Sequence, residues 1–301
     1  MKIIVTHASP DWDAIGSVWL LRKFLPGWQE AQVEFVPAGQ QSDRLKKLEE
    51  VPYEAIITIG DDEIIHVDTG LLPLDHHQTS DRLVCGTSLT WEYLKNHFKE
   101  AGVELKSEHQ EAIDRIVAII VAIDHFREVY WQDPMADYHE FSLLGVLEGL
   151  KQLHPDQDEL YVTYGIQSLD ALVHTFENRI WAEREIADKG IPFSIKAGKG
   201  IGFETINDTV LKLAQKMGYL LVVRKDPRKG YVRIKLRPEA NKEENLDLTP
   251  AYEALKQKDP EATWFLHVSK KMLLNGTPKN PKMIPSKLTL QEIIDVLKEL
   301  Y

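Results

Sequence analysis

Short runs of aliphatic and β-branched residues, each stopping at a histidine or an aspartate, set the pattern of the first eighty residues. Ile3-Ile4-Val5 leads to His7, Ile64-Ile65-His66-Val67 leads to Asp68, and the stretch 71–74 leads to Asp75-His76-His77. Between them, Asp13-Ala14-Ile15-Gly16-Ser17 opens a helix that runs through Leu25 and is ended by Pro26-Gly27. Residues 33–36 read as a second strand, Ser42 as the cap of a helix reaching Glu50, and 55–59 as a third strand. Gly60-Asp61-Asp62 turns the chain into the strand that ends at Asp68. Strands alternating with helices predict a doubly wound, mainly parallel sheet. In such a sheet, functional side chains collect beyond the carboxyl ends of the strands, where the His and Asp residues stand.

Apolar spacing then predicts helices over 88–101 and 108–123, the second closing at Asp124-His125-Phe126. Helices over 141–153 and 169–189 follow as a helical connection, separated by the break His154-Pro155-Asp156. The pattern changes near Gly190. Residues 193–196, 219–223 and 231–236 read as strands, 208–217 and 290–300 as helices, 264–269 as a strand containing His267, and Asn275-Gly276 as a turn. Gly198-Lys199-Gly200-Ile201-Gly202 lacks the spacing and the Lys-Ser/Thr ending of a P-loop and reads as a turn. The expected organisation is an α/β domain over 1–188 and a smaller C-terminal α+β domain over 189–301.

Composition narrows the function classes. The 301 residues are 43% hydrophobic and 28% charged, enough for a sizeable core, and carry a formal net charge of -11. That balance argues against coating extended nucleic acid, which depends on many Lys and Arg contacts. A nucleotide or short oligonucleotide remains compatible, because bound cations add local positive charge. Cys85 is the only cysteine, so no intramolecular disulfide forms, and the apolar run 116–123 is too short to span a bilayer. A cytoplasmic protein without a membrane segment is expected, with homodimerisation through the helices between Phe141 and Lys189 left open.

Each candidate has a plain structural reading beside the chemical one. Asp11 or Asp13 can simply cap the helix that follows, Asp124 can be an ordinary helix-ending residue, and a His-His pair can lie in a solvated loop. Together, carboxylates and imidazoles without clustered thiolates suit Mn²⁺ and related divalent ions better than a structural zinc.

His7-x-x-Pro10-Asp11-x-Asp13-Ala14-Ile15-Gly16-Ser17, then Asp68 at a strand end, then Asp75-His76-His77, resembles the DHH phosphoesterase superfamily. That group includes RecJ-type exonucleases, nanoRNA and cyclic-dinucleotide phosphodiesterases and family II inorganic pyrophosphatases. The resemblance covers about the first 130 residues. It implies that His7 and Asp11 hold one Mn²⁺, that Asp13, His76 and Asp124 hold another, and that Asp68 bridges them, with Asp61 or Asp62 as the alternative bridge. Mg²⁺ or Co²⁺ are alternative metals. It further implies that Asp75 orients the histidines and that His77 faces the substrate phosphate. The compact pairing of His66-Val67-Asp68-Thr69-Gly70 with Asp75-His76-His77-Gln78 is similar to the Myg-type exonuclease branch.

Beyond residue 190 no Gly-Gly-Gly-His run of the associated C-terminal domain is present. His267, Lys270, Lys271, Lys279, Lys282 and Lys287, with Arg233, Lys235 and Arg237 alternating along one strand, are candidates for binding phosphate or plain solvent-facing charges. The expected activity is a metal-dependent phosphoesterase cleaving short oligonucleotides or nucleotides. The competing readings are an inorganic pyrophosphatase and a non-catalytic nucleotide-binding protein.

Overall fold

The computed structural model of the chain describes residues 1–238, 246–277, 280 and 282–301. The chain divides into two compact units, Met1–Phe176 and Glu177–Tyr301, and the division falls inside a helix.

The first unit is built on a four-stranded sheet of β1 (Lys2–His7), β2 (Gln32–Val36), β3 (Ile57–Ile59) and β4 (Asp62–His66), in the order β2-β1-β4-β3. β1 is central and pairs in parallel with β2 and β4. Its residues Ile3, Ile4, Val5 and Thr6 are all buried, as expected of a parallel strand covered on both faces. Five helices complete the unit: α1 (Trp12–Phe24), α2 (Gly86–Ala101), α3 (Ser107–Asp124), α4 (Leu143–Leu153) and the first part of α5 (Asp158–Lys189). α1 is buried at every position from Trp12 to Leu21, so it is an interior helix rather than an amphipathic one.

Three expectations are refined or corrected here. The sheet is mainly parallel, with two of its three pairings parallel, but it is mixed: β3 runs antiparallel to β4, because only Gly60-Asp61 connects them and so short a link closes only a hairpin. The helix expected from Ser42 to Glu50 is a single 3₁₀ turn at Leu45–Lys47. Few residues separate Ser42 from Pro52, below what an isolated helix needs, and Ser42 Oγ and Arg44 are both committed to Glu34 at 2.5 and 3.1 Å. α5 starts at Asp158, well before 169, since buried Tyr161 and Val162 extend the apolar face of Leu169 and Val173 backward.

The second unit holds a six-stranded sheet of β5 (Ile191–Ile195), β6 (Gly198–Glu204), β7 (Leu221–Lys225), β8 (Val232–Leu236), β9 (Trp264–Leu266) and β10 (Met272–Asn275), in the order β5-β6-β7-β8-β10-β9. α6 (Thr209–Lys216) carries the chain between parallel β6 and β7; the other neighbours are antiparallel. α7 (Thr249–Lys258) and α8 (Leu290–Leu300) pack on the sheet through Ala251, Leu255, Ile293 and Leu297. The glycine run 198–202 is strand β6, not a turn. A Cβ at Gly200 would stand 2.3 Å from two ring atoms of Phe193 on β5, so glycine there lets the two strands close over the ring. No described helix is long and apolar enough to cross a membrane.

Candidate metal centre

Two neighbouring parallel strands deliver the centre. β1 ends at His7, and β4 ends at His66, two residues before Asp68. Hydrogen bonds from Asp68 N to Leu74 O (3.1 Å) and from Asp75 N to Leu72 O (2.9 Å) fold 68–75 into a tight loop that returns Asp75-His76-His77 to the same place. Asp68 and Leu71 hold left-handed backbone, φ 53° and 55°, conformations that cost energy for residues other than glycine and gather at functional sites. Asp75 Oδ2 accepts the Leu71 N–H at 2.7 Å, which fixes that bend. The alternative bridges lie elsewhere: Asp62 begins β4 and bonds the terminal amine and Arg44 at 3.0 and 2.9 Å, and Asp61 sits in the hairpin turn.

His7 Nδ1 bonds the Ala8 carbonyl at 2.9 Å and so carries a proton, leaving Nε2 toward Asp68 Oδ2 (3.2 Å) and Asp11 Oδ1 (3.9 Å). Asp11 is also the N-cap of α1, with Oδ1 accepting from Asp13 N (2.9 Å) and Ala14 N (3.1 Å). The cap and the candidate ligand are therefore one carboxylate. On the other side of Asp68, His76 Nε2 lies 3.4 Å from Asp68 Oδ1, 3.6 Å from Asp124 Oδ2 and 3.7 Å from Asp13 Oδ2. Asp68 Oδ1, His76 Nε2 and Asp124 Oδ2 are buried and make no hydrogen bond. Buried polar atoms are normally satisfied, so several converging on one point without a bond are able to act as donors to a cation.

The charges agree. Burial disfavours protonated His7, but its hydrogen bond to Asp68 and the charge of Asp11 outweigh that and raise its pKa to about 9. The contact with Asp68 likewise lifts His76 to about 9 against burial. Burial would raise Asp68, yet His7 and His76 bring it down to about 2. Asp13 is pushed well up by burial and then by Asp68, and Asp124 is pushed up chiefly by burial. Crowded acids and proton-loaded imidazoles are what a surplus of negative charge produces where positive ions belong.

Asp13 is held from behind by α2. Gly86 N and Thr87 N donate to its two carboxylate oxygens, each at 2.6 Å, and Thr87 Oγ1 donates to its carbonyl at 2.7 Å. The amino end of a helix favours an anion there. A Cβ at Gly86 would lie 3.0 Å from Asp13 Oδ2 and from Asp68 Cβ, so only glycine leaves the pair undisturbed. Burial and Asp13 together push the Cys85 thiol far up, which keeps it protonated and unsuited to ligation.

Asp75 is fully buried and accepts both His77 N (3.1 Å) and His77 Nδ1 (2.7 Å), so it aims a ring whose side chain is 54% exposed. The structure thus brings His7, Asp11, Asp13, Asp68, Asp75, His76, His77 and Asp124 to one place.

Sequence reasoning passed over His125, which groups with His76 and Asp124 as a further candidate ligand and is fixed by a hydrogen bond from its ring to Val84 O (2.9 Å). Its signal was its position directly after Asp124. His66 is structural: buried, its Nε2 accepts Ser42 N at 3.0 Å, and burial lowers it to about 4.

Several basic candidates of the second unit have other partners. His267 lies not within a strand but in the β9–β10 connection, where its Nδ1 accepts Ser269 N at 3.2 Å. Lys270 faces Asp247 at 3.5 Å, Lys287 pairs with Glu261 at 2.5 Å, and Arg233 bonds Asp208. Arg233 and Lys235 do share one face of β8, opposite buried Val232, Ile234 and Leu236, while Arg237 follows the strand's end. Lys279 lies outside the described residues.

Within the first unit a cleft of about 1010 Å³ opens beside Asp11, Asp13, His76, His77 and Asp124 and extends along the segment after α3. This geometry defines a protein whose acidic and histidine groups are able to hold metal ions next to an open cleft. No family model and no curated protein matches the sequence. Among solved structures, the chain is similar to a DHH domain described as belonging to a family of ribosomal proteins, at 10% identity and a TM-score of 0.33, over 99% of this chain and 86% of that one. It is also similar to the pGpG-specific phosphodiesterase PggH of Vibrio cholerae, at 11% identity and a TM-score of 0.26, over 93% of this chain and 94% of that one. The resemblance to the DHH phosphoesterase superfamily is carried by the sequence of His7 to Ser17, Asp68 and Asp75-His76-His77.

Proposed function

We propose that this protein is a metal-dependent phosphoesterase that hydrolyses phosphodiester bonds of short oligonucleotides or nucleotides. The observation that carries the reading is the convergence of unbonded, buried Asp68 Oδ1, His76 Nε2 and Asp124 Oδ2, with Asp13 Oδ2 beside them. In this reading His7 and Asp11 would hold one ion, Asp13, His76 and Asp124 would hold the second, and Asp68 would be shared between them. Oxygen and imidazole donors without thiolate favour Mn²⁺, with Mg²⁺ or Co²⁺ as substitutes. Such a pair of ions would supply Lewis acidity and lower the pKa of a bound water at neutral pH.

The chain's own residues do the positioning. Asp75 holds His77 Nδ1, which leaves the other ring nitrogen to meet a phosphate oxygen or the leaving group. Asp11, locked as a helix cap, and Asp13, locked on α2, present their charges without reorganising. Within a substrate-binding domain taken from residue 189 onward, His267, Arg237 and Lys270 are the candidates for meeting a phosphate, and Lys270 would do so in exchange for its pairing with Asp247.

The test is release of mononucleotides from end-labelled short RNA and DNA, with Mn²⁺ and with chelator, beside an Asp75→Ala, His76→Ala double variant. Metal-dependent laddering that the double variant loses supports the reading. Release of phosphate from pyrophosphate alone would replace it with the phosphoanhydride hydrolase. Bound metal with no turnover of any phosphoester would leave a non-catalytic binding protein.

A further inference from the structure

The cleft beside the metal centre has a wall whose chemistry discriminates among phosphoesters. Its lining includes the carboxylates of Asp11, Asp13, Asp124, Glu128, Glu140 and Glu148, and no lysine or arginine. Cations bound by the first three, with His76, His77 and His125 beside them, would balance one phosphate group, but further phosphates along the cleft would meet Glu128, Glu140 and Glu148 with no lysine or arginine among the lining residues described. Apart from His139 and Gln152, the remaining wall is aromatic and apolar, with Phe126, Trp131 and Met135 exposed.

Phe126 is the informative residue of that wall. It follows α3, donates its N–H to Ile123 O at 2.9 Å, and holds a left-handed backbone at φ 54°. Glycine is the usual occupant of such a position after a helix. A bulky side chain there is strained, and this one is also 73% exposed. Backbone strain and an exposed ring are two separate costs at one residue of the cleft mouth, which points to a task for the ring. Two polar groups of the same lining are also unsatisfied among the described residues. Trp12, only 6% exposed, leaves its indole N–H without a partner, and Glu128 Oε2 is buried and unbonded.

Given the phosphoesterase reading of the adjacent centre, on which this rests, we infer that the cleft is a nucleoside subsite. It takes the uncharged nucleoside esterified to the phosphate at the metal centre, with the base stacked on Phe126 and Trp131 and its edge bonded to Glu128 and to the Trp12 indole. Stacking on aromatic rings suits any base, whereas a buried carboxylate oxygen requires an N–H donor from the base edge. One nucleoside, rather than a continuing polyanionic strand, fits the charge of this wall. The substrate is thus a short phosphodiester engaged at a terminal nucleoside.

Calorimetric binding of the four ribonucleoside 5′-monophosphates and of ribose 5-phosphate to the full-length Mn²⁺-loaded protein tests this. Wild type should bind at least one mononucleotide about 10-fold or more tighter than the base-free sugar phosphate. Phe126→Gly and Trp131→Ala should each weaken the mononucleotide about 5- to 100-fold, the loss of one base–aromatic stack, and leave ribose 5-phosphate unchanged. Glu128→Ala should weaken the mononucleotide without weakening the sugar phosphate. Phe126→Gly should melt at or above the wild-type temperature, because glycine relieves the left-handed backbone, so a folding defect cannot stand in for the result. Equal binding of mononucleotide and sugar phosphate by wild type overturns the subsite and leaves the metal centre standing. Equal weakening of both ligands by the variants assigns the rings a structural role and also overturns it. A change of oligomeric state in Phe126→Gly by light scattering makes the patch a contact between copies instead. Failure to bind Mn²⁺ at all removes the phosphoesterase reading itself.

Discussion

Asp11 offers a separable test, since one carboxylate serves as a helix cap and as a candidate ligand. Its Oδ1 accepts the N–H groups of Asp13 and Ala14 at 2.9 and 3.1 Å while lying 3.9 Å from His7 Nε2. Asp11→Ala removes both functions; Asp11→Ser keeps a capping oxygen but no carboxylate. Loss of an N-cap to alanine costs about 1 kcal/mol, whereas exchange among good caps costs little. For a unit of this length that is a fall of about 2–4 °C in the melting temperature of the metal-free alanine variant, with the serine variant close to wild type. Metal affinity should behave differently. Partners outside the coordination sphere already contribute about 10- to 100-fold, so loss of a direct charged ligand should weaken one site by at least about 100-fold in both variants. That corresponds to about 2.7 kcal/mol. Calorimetric titration with Mn²⁺, paired with thermal melts of metal-free protein, reads both quantities. A serine variant that binds two ions as tightly as wild type would reduce Asp11 to a cap and refute the ligand assignment.

Three further outcomes are expected. His7 and His76, with pKa values of about 9 in the metal-free protein, must give up protons to metal, so affinity should climb as pH rises from 6 to 9 by up to about tenfold per unit for each proton displaced; titrations in buffers of different ionisation enthalpy count those protons, and an affinity flat from pH 6 to 8 would contradict the site. Asp75→Asn leaves the ligands in place but loosens the aim of His77, so turnover should fall about 10- to 100-fold with metal content unchanged by elemental analysis. Gly86→Ala places a methyl 3.0 Å from Asp13 Oδ2 and 3.3 Å from Asp68 Cα, and should cost about 1–3 kcal/mol of stability by denaturant melts together with metal affinity; an alanine variant indistinguishable from wild type would mean that the pocket relaxes freely.

Local chemistry made the centre's residues readable in the chain. A buried strand followed at once by His7 and a cap at Asp11 is a statement about neighbours in sequence, and the structure keeps those neighbours together. The spacing between Asp68 and Asp75 was harder to interpret, because what closes that loop is backbone hydrogen bonding and two left-handed residues. Errors arose where distant contacts overrule local preference. Ser42 looked like a helix cap until Glu34, eight residues earlier, took its hydroxyl. The glycines of 198–202 looked like a turn because only the Phe193 ring, on the partner strand, explains them. The orientation of β3 followed from counting the two residues of its link to β4, a reading that the expected strand over 55–59 obscured.

The bond from α2 to Asp13 has a practical consequence. The amide protons of Gly86 and Thr87 each point at one oxygen of that carboxylate across 2.6 Å, a separation at which proton chemical shift responds steeply to the charge on the acceptor. Any cation drawing on Asp13 competes with those two amides for the same electrons. With a diamagnetic ion such as Mg²⁺, their upfield displacement in a nitrogen–proton correlation spectrum would report the filling of the site from a helix that touches neither substrate nor solvent there. The protein thus carries its own indicator of loading, two peaks whose positions register an ion that neither residue binds.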